Sequence, residues 1–390
     1  MTRKVYKGRV VLPDQIIENG VLVVTGATIT FVGEEASFDV RDEDEVVDYS
    51  SSYICPGFID IHVHGNAGHD VMDGTEEAID EISHSLARFG VTGFLPTTMT
   101  APMDEIRKVI ENIHQMKAKQ TGGAQVLGVH LEGPWISEVY KGAQNGAYIS
   151  NPTSDEVDQV LTWIDDLPCV VTIAPEISGA VEAIKSLTSR GIICSIGHTN
   201  ATHEEVSRAV ENGASHFTHA FNAMRGLHHR EPGVVGALMG MKQMTCDVIA
   251  DLVHTHASIL DILYQLKGRE KLLLISDGMR AVGLPDGEYS LGGQTVIVRQ
   301  CIARLADSTL AGSTLSLQKA VHNMVDEIGV PLIDAVYMAA TAPATKLGIS
   351  HSKGSLAVGK DADIAVLSAD FRVVETIVKG IPVYKEELEQ

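Results

Sequence analysis

Five places in the 390-residue sequence set imidazoles or carboxylates at the ends of short apolar runs. They are His62-Val63-His64, His130-Leu131-Glu132-Gly133-Pro134, Gly197-His198-Thr199, His219-Ala220-Phe221-Asn222 and Ser276-Asp277-Gly278. Two histidines spaced i, i+2 on a strand point to one face, so His62 and His64 can hold one divalent cation between them. Glu132 can bridge to a second ion, His198 and His219 complete the set, and Asp277 offers a carboxylate from the opposite wall. Imidazole with carboxylate suits Zn²⁺ or Fe²⁺ better than Mg²⁺ or Ca²⁺. Such an ion brings the pKa of bound water near neutrality and polarises a carbonyl. Each feature alone has a plainer reading: a lone strand-end His is a hydrogen-bonded structural residue, and Asp before Gly is a turn. Five coincident strand ends favour a metal site. His69, His84, His114 and His322 have no such company and read as solvated or structural.

For these residues to meet, the strands carrying them must share one face. Between about residue 56 and residue 349, apolar runs alternate with helical periodicity. Ile79, Ile82, Leu86 and Phe89 recur at helix spacing, as do Ile106, Val109, Ile110 and Ile113. Further helices are expected over 155–166, 180–190, 203–212, 257–266 and 315–328. Strands are expected over 58–62, 94–97, 126–130, 170–174, 192–196, 216–219, 246–250 and 271–275. This alternation predicts an α/β fold, a (β/α)₈ TIM-like barrel whose C-terminal strand ends converge on one pocket. A doubly wound sheet is the alternative, but no GxGxxG follows an early strand. Both ends of the chain are strand-rich without helical period, as in Val21–Val24, Thr28–Val32 and Asp363–Leu367. We expect residues 1–55 and 350–390 to build one discontinuous β-sandwich domain, with the barrel at 56–349.

Composition narrows the partners. Lys and Arg total 30 against 51 Asp and Glu, a formal charge of −21. That balance argues against nucleic acid and anionic membrane surfaces. The five cysteines form no CxxC pair, which disfavours a thiolate zinc site or a disulfide framework and fits a cytoplasmic protein. The early basic residues Arg3, Lys4 and Lys7 are not followed by an uninterrupted apolar run, so no signal peptide is expected. No stretch is long and apolar enough for a membrane span. An anionic substrate would need a local cationic pocket.

Pro56-Gly57-Phe58-Ile59-Asp60-Ile61-His62-Val63-His64-Gly65 resembles the opening of the amidohydrolase superfamily, and Gly354–Ile364 resembles its return into the β domain. Within that superfamily, HLEGP at 130–134, Lys141-Gly142-Ala143, Gly197-His198-Thr199, THAFNAM at 218–224 and Leu310-Ala311-Gly312-Ser313 are similar to the N-acetylglucosamine-6-phosphate deacetylase family. The likeness runs over nearly the whole chain. It implies hydrolysis of N-acetylglucosamine 6-phosphate to glucosamine 6-phosphate and acetate. It also implies Glu132, His198 and His219 as principal metal ligands and Asp277 as catalytic acid/base. His62 and His64 vary within the family, and their presence here implies a second ion, so one or two divalent metals are expected (Zn²⁺ or Fe²⁺ first, Mn²⁺ or Co²⁺ compatible). Ala143, Asn222, Ala223, Arg230, His254, Leu310, Ala311 and Gly312 match positions that hold the sugar phosphate. The family is typically a homodimer, and Arg230 is the candidate for a basic residue reaching across to the neighbouring subunit.

The chemistry expected from this likeness is attack of metal-held hydroxide on the acetyl carbon. Asp277 takes the water proton and returns it to the amine, while His254 stabilises the oxyanion. The loop 135–141 after Glu132 is a candidate lid. The competing expectations are a cyclic amidase of the same superfamily, which usually carries a carbamylated Lys on a strand, and a non-catalytic sugar-phosphate binding protein.

Overall fold

A computed structural model describes residues 3–119 and 121–386. Strands from both termini form one sheet. β1 (Arg3–Val11), β2 (Ile16–Thr25), β3 (Thr28–Glu34) and β4 (Glu45–Pro56) are joined by three strands from the far end of the chain. β4 is the hinge of that arrangement. Its first half pairs in parallel with β1 (Tyr6↔Val47). After a register break its second half still pairs with β1 (Val10↔Ile54) and, on its other edge, antiparallel with Ile364–Leu367 (Val366↔Ile54). The break bends the strand, as bulges do, and Leu22, Val24, Ile54, Ile364 and Ile377 share one apolar core. The expected two stacked sheets are therefore one continuous, seven-stranded sheet curled over its own core. Its two halves also meet directly, through Ile29 N–H to the Lys360 carbonyl at 2.9 Å.

The middle of the chain carries eight strands: β5 (Phe58–Val63), β6 (Val91–Pro96), β7 (Val129–Glu132), β8 (Cys169–Ile173), β9 (Ile193–Ile196), β10 (His216–Phe217), β11 (Thr245–Ile249) and β12 (Leu272–Ile275). β7 to β12 form a parallel sheet in sequence order, and β5 pairs in parallel with β6. Single parallel bridges, Thr97↔His130 and Val63↔Gly278, join the two groups at both edges, which gives a barrel-like fold. The strands are buried along their whole length apart from half-exposed Ile193, so they lack a polar-out alternation, and the polar residues they carry, such as Asp60, His130 and Asp247, are buried too. A helix follows each strand. In Glu76–Ala87 the positions Ile79, Ile82 and Leu86 turn inward, as the 3.6-residue period requires. Ser154–Ile164 and His203–Glu211 start on capping boxes, Thr153 with Glu156 and Thr202 with Glu205.

Two details depart from the sequence reading. The third strand breaks after Val126 and resumes at Val129, so His130 and Glu132 both lie inside it. A three-stranded meander also follows β12: β13 (Gly287–Leu291), β14 (Gln294–Arg299) and β15 (Ile302–Arg304), completed in chain order by β16 (Ile364–Leu367), β17 (Val373–Val378) and β18 (Ile381–Lys385) of the terminal sheet. The Gly292-Gly293 pair between β13 and β14, both at positive φ, was the available hairpin signal. Among the described residues, no helix is long and apolar enough to cross a membrane.

Candidate active site

The strand-end residues converge. His62 lies in β5 and His64 directly follows it, with their Nε2 atoms 3.2 Å apart. Glu132, the last residue of β7, places Oε1 3.2 Å from His198 Nε2 and 3.1 Å from His219 Nε2, and Oε2 3.1 Å from His64 Nε2. Two triads result, His62/His64/Glu132 and Glu132/His198/His219, each buried and each with its candidate ligand atoms within 4.8 Å of one another. Asp277 Oδ1 lies 3.4 Å from His62 Nε2 and 3.3 Å from His64 Nε2.

The backbone is bent to aim these groups. His198, His219 and Asp277 follow strand ends at positive φ, 46°, 31° and 48°. For a side chain with a Cβ this costs on the order of 1–2 kcal/mol each. Strain of this kind gathers at functional sites and is held there by the surrounding hydrogen bonds. The neighbouring Gly133 (φ 79°) lies so close to Thr100 that a Cβ would stand 2.1 Å from its Oγ1, so only glycine fits after Glu132.

The donor chemistry fits a cation. His198 Nδ1 lies 2.9 Å from the Tyr140 carbonyl, and His64 Nδ1 lies 3.2 Å from the Thr97 carbonyl. A carbonyl only accepts, so both rings carry their proton on Nδ1. In the neutral rings the Nε2 lone pairs then face the oxygens of Glu132, an arrangement that repels unless a proton or a metal cation lies between. The electrostatics agree. Burial opposes the charge of Glu132, yet the imidazoles of His62 and His198 hold its carboxyl well below the usual range. Burial likewise opposes ionisation of Asp277, but His62 and His64 bring it down to about 2. Burial opposes protonation of His64, but hydrogen bonds to Asp277 and Glu132 push it up to about 10.

These residues open into a cavity of about 580 Å³, and His64, Glu132, His198, His219 and Asp277 form its floor. Ala143, Asn222 and Ala223 line it, as do His254, Leu310 and Gly312. Ala311 does not; it is fully buried with Met279 and Leu291. Arg230 is exposed, outside the cavity of its own chain, with Nη1 2.7 Å from His229 Nε2. The cavity's own cations are Lys141 and Arg304. His254 Nδ1 is held at 2.7 Å by Asp251, whose other oxygen accepts the His254 and Val253 amides. A neutral His254 therefore presents an acceptor at Nε2, and only an imidazolium presents a donor. In the loop after Glu132, Trp135 is packed at 2% exposure while Val139 is 74% exposed.

Several contributors escaped the sequence reading because they sit in no motif. Asp247 on β11 accepts the His219 amide with Oδ1 and His216 Nε2 at 3.0 Å with Oδ2. Gln144 donates to Glu132 Oε2 at 2.7 Å. Gln294, on β14, donates to the Ala143 carbonyl at 2.6 Å and pins that segment of the cavity wall. His130 lies a layer below the triads, between the Ile61 carbonyl (3.1 Å) and Thr172 Oγ1 (2.8 Å), with burial first among the causes that lower its pKa. His84, His114 and His322 bond to Asp80, Trp163 and Asp326 in turn, all outside the site.

A barrel-like α/β fold with an HxH strand, a bridging glutamate, two further histidines and an opposing aspartate at one set of strand ends defines a metal-competent hydrolase. The chain belongs to the amidohydrolase family, whose signature matches residues 53–383. It is 39% identical over 344 residues to an N-acetylglucosamine-6-phosphate deacetylase of Vibrio furnissii, covering 88% of this chain and 86% of that protein. It is 38% identical over 335 residues to an N-acetylgalactosamine-6-phosphate deacetylase of Escherichia coli O157:H7, covering 86% and 89%. The crystal structure of N-acetylglucosamine-6-phosphate deacetylase from Pasteurella multocida superposes with a TM-score of 0.93 at 28% identity, covering 97% of this chain and 99% of that one.

Proposed function

We propose that this enzyme hydrolyses the acetamide of an N-acetylhexosamine 6-phosphate, N-acetylglucosamine 6-phosphate first, to acetate and the amino sugar phosphate, in amino sugar catabolism and cell-wall recycling. The observation that carries this reading is the placement of two triads sharing Glu132, with Asp277 beside them, on the floor of one cavity. His62, His64 and Glu132 would hold one divalent ion, and Glu132, His198 and His219 the other, with Zn²⁺ or Fe²⁺ preferred. When bound, such ions polarise the acetyl carbonyl and ease deprotonation of water.

The chain's own residues supply the proton traffic and the grip on substrate. Asp277, ionised and facing the triads, takes the proton of the attacking water at its carboxylate and returns it to the departing nitrogen. His254, oriented by Asp251, meets a sugar hydroxyl as a neutral ring or the developing oxyanion as an imidazolium. Asn222, Ala223, Leu310 and Gly312 surround the sugar. In this reading residues 1–55 and 350–390 form the β domain and 56–349 the catalytic (β/α)₈ barrel. The protein is cytoplasmic, a location its four buried free cysteines suit, and it is a homodimer in which Arg230 reaches the neighbouring cavity to hold phosphate.

A cyclic amidase of the kind that carries a carbamylated lysine is disfavoured, because none of the eight barrel strands contains Lys. Near-equal likeness to glucosamine and galactosamine enzymes leaves the 4-hydroxyl preference to assay. The test is acetate release by metal-loaded protein from the 6-phosphates of N-acetylglucosamine and N-acetylgalactosamine, beside ring-opening of dihydroorotate. Acetate from either sugar supports the reading; ring-opening without acetate overturns it.

A further inference from the structure

Gln144 is buried, at 3% exposure, in the loop after β7. Its Oε1 accepts the backbone N–H of Thr100 at 2.7 Å. Thr100 N can only donate, so the carboxamide has one allowed orientation, and its NH₂ must point the other way. There it donates to Glu132 Oε2 at 2.7 Å. The two oxygens of Glu132 have different clients: Oε1 faces His198, His219 and, at 3.4 Å, His62, whereas the imidazole facing Oε2 is that of His64. We infer that Gln144 is a positioning residue that locks the rotation of the Glu132 carboxylate, and that it sustains the His62/His64 triad rather than the His198/His219 triad.

The physical reason lies in the terminal torsion of glutamate, which is broad and nearly two-fold. Two oxygens spread across two triads stay so only if something fixes that torsion. Oε1 is surrounded by three imidazoles, but on Oε2, which meets the His64 side of its triad, the Gln144 amide is the neutral donor, anchored to rigid backbone rather than to another titrating group. Without it the carboxylate turns toward Oε1's partners, and the triad that relies on Oε2 loses its bridge. The inference rests on the reading that both triads take a metal ion.

The test compares the wild type with Gln144→Met, which keeps the buried volume and deletes both hydrogen bonds. Both proteins are stripped by chelation. Zn²⁺ binding is then titrated against a competing chromophoric chelator, and the melting temperature of each stripped protein is recorded. Two sites are expected in the wild type. In the variant one site weakens about 10–100-fold, the usual effect of losing an outer partner. The other site should stay within about threefold, and the stripped proteins should melt together. In a His64→Asn background, which removes the dependent triad, the same substitution should leave the surviving site unchanged. Unaltered affinities, or equal weakening of both sites with a lowered melting temperature, overturn the inference and leave the two-metal reading standing. A wild type that fills fewer than two sites overturns the two-metal reading itself. If the Met variant does not fold, Gln144→Ala carries the same comparison.

Discussion

Asp247 offers the sharpest test of how the strands position the candidate ligands. It is 1% exposed and uses both oxygens, Oδ1 on the His219 amide and Oδ2 on His216 Nε2 at 3.0 Å. Burial is the main cause lowering the His216 pKa, so that ring is neutral. It donates from Nε2 and takes Thr245 Oγ1, 2.6 Å away, at Nδ1. Asp247→Ala removes two charge-assisted bonds, each worth about 1.5–3 kcal/mol, and leaves a buried amide and a buried imidazole without partners. The expected loss is about 3–6 kcal/mol, the sum of those two bonds. Asp247→Asn should cost much less, about 1 kcal/mol. Its amide oxygen still accepts the His219 amide, and its NH₂ suits His216 once that ring moves its proton to Nδ1 and Thr245 accepts, donating onward to the Ser215 carbonyl at 3.1 Å. Urea unfolding followed by the fluorescence of Trp135 and Trp163, the two tryptophans of the chain, reads both variants. A cost for Ala below about 1 kcal/mol, or an Asn variant as damaged as Ala, would refute the tautomer and the positioning role together.

Asp277→Asn should retain its metal content while turnover falls by about 10²–10⁴, the usual contribution of a positioned acid–base group; near-normal turnover removes Asp277 from the chemistry. Arg230→Ala should raise KM for the phosphorylated sugar by about 10–100-fold, with little change for the unphosphorylated sugar, as expected for a lost charge-assisted phosphate contact. If Lys141→Ala or Arg304→Ala shows that split instead, the phosphate is held within one chain. Lys346 provides a pH dependence, since burial lowers its pKa to about 8 against Ser215, 2.9 Å away. Below pH 8 the ion is charged in both folded and unfolded chains, and burial costs up to about 3 kcal/mol; that cost fades as pH rises from about 8 to 10.5. Stability should therefore climb over that interval, and Lys346→Met should flatten the climb in urea titrations at several pH values.

The candidate metal ligands and the candidate acid/base were legible because metal chemistry tolerates few side chains. His62, His64, Glu132, His198, His219 and Asp277 declare themselves by type and by position after apolar runs. The alternation of those runs with helical periods was enough to imply a parallel α/β framework, since each period is a local property of the backbone. The terminal sheet was legible as strands but not as a single sheet, because the bend in β4 depends on a register break between Gly8 and Arg9 that pairing alone creates. The supporting residues were not legible at all. Gln144 and Asp247 are ordinary polar residues in sequence, and each acquires its role from a partner brought near by the curl of the sheet, whereas Asp251 acquires its role from a loop turn that sets it against His254 three residues on. Arg230 shows the same limit from the other side: its charge was evident, but only the fold places it outside its own chain's cavity, where Lys141 and Arg304 stand instead. Local sequence thus determined which groups could bind a metal and move a proton. Which atoms face one another, and what holds them there, was decided by strand ends converging from residues as far apart as 62 and 277.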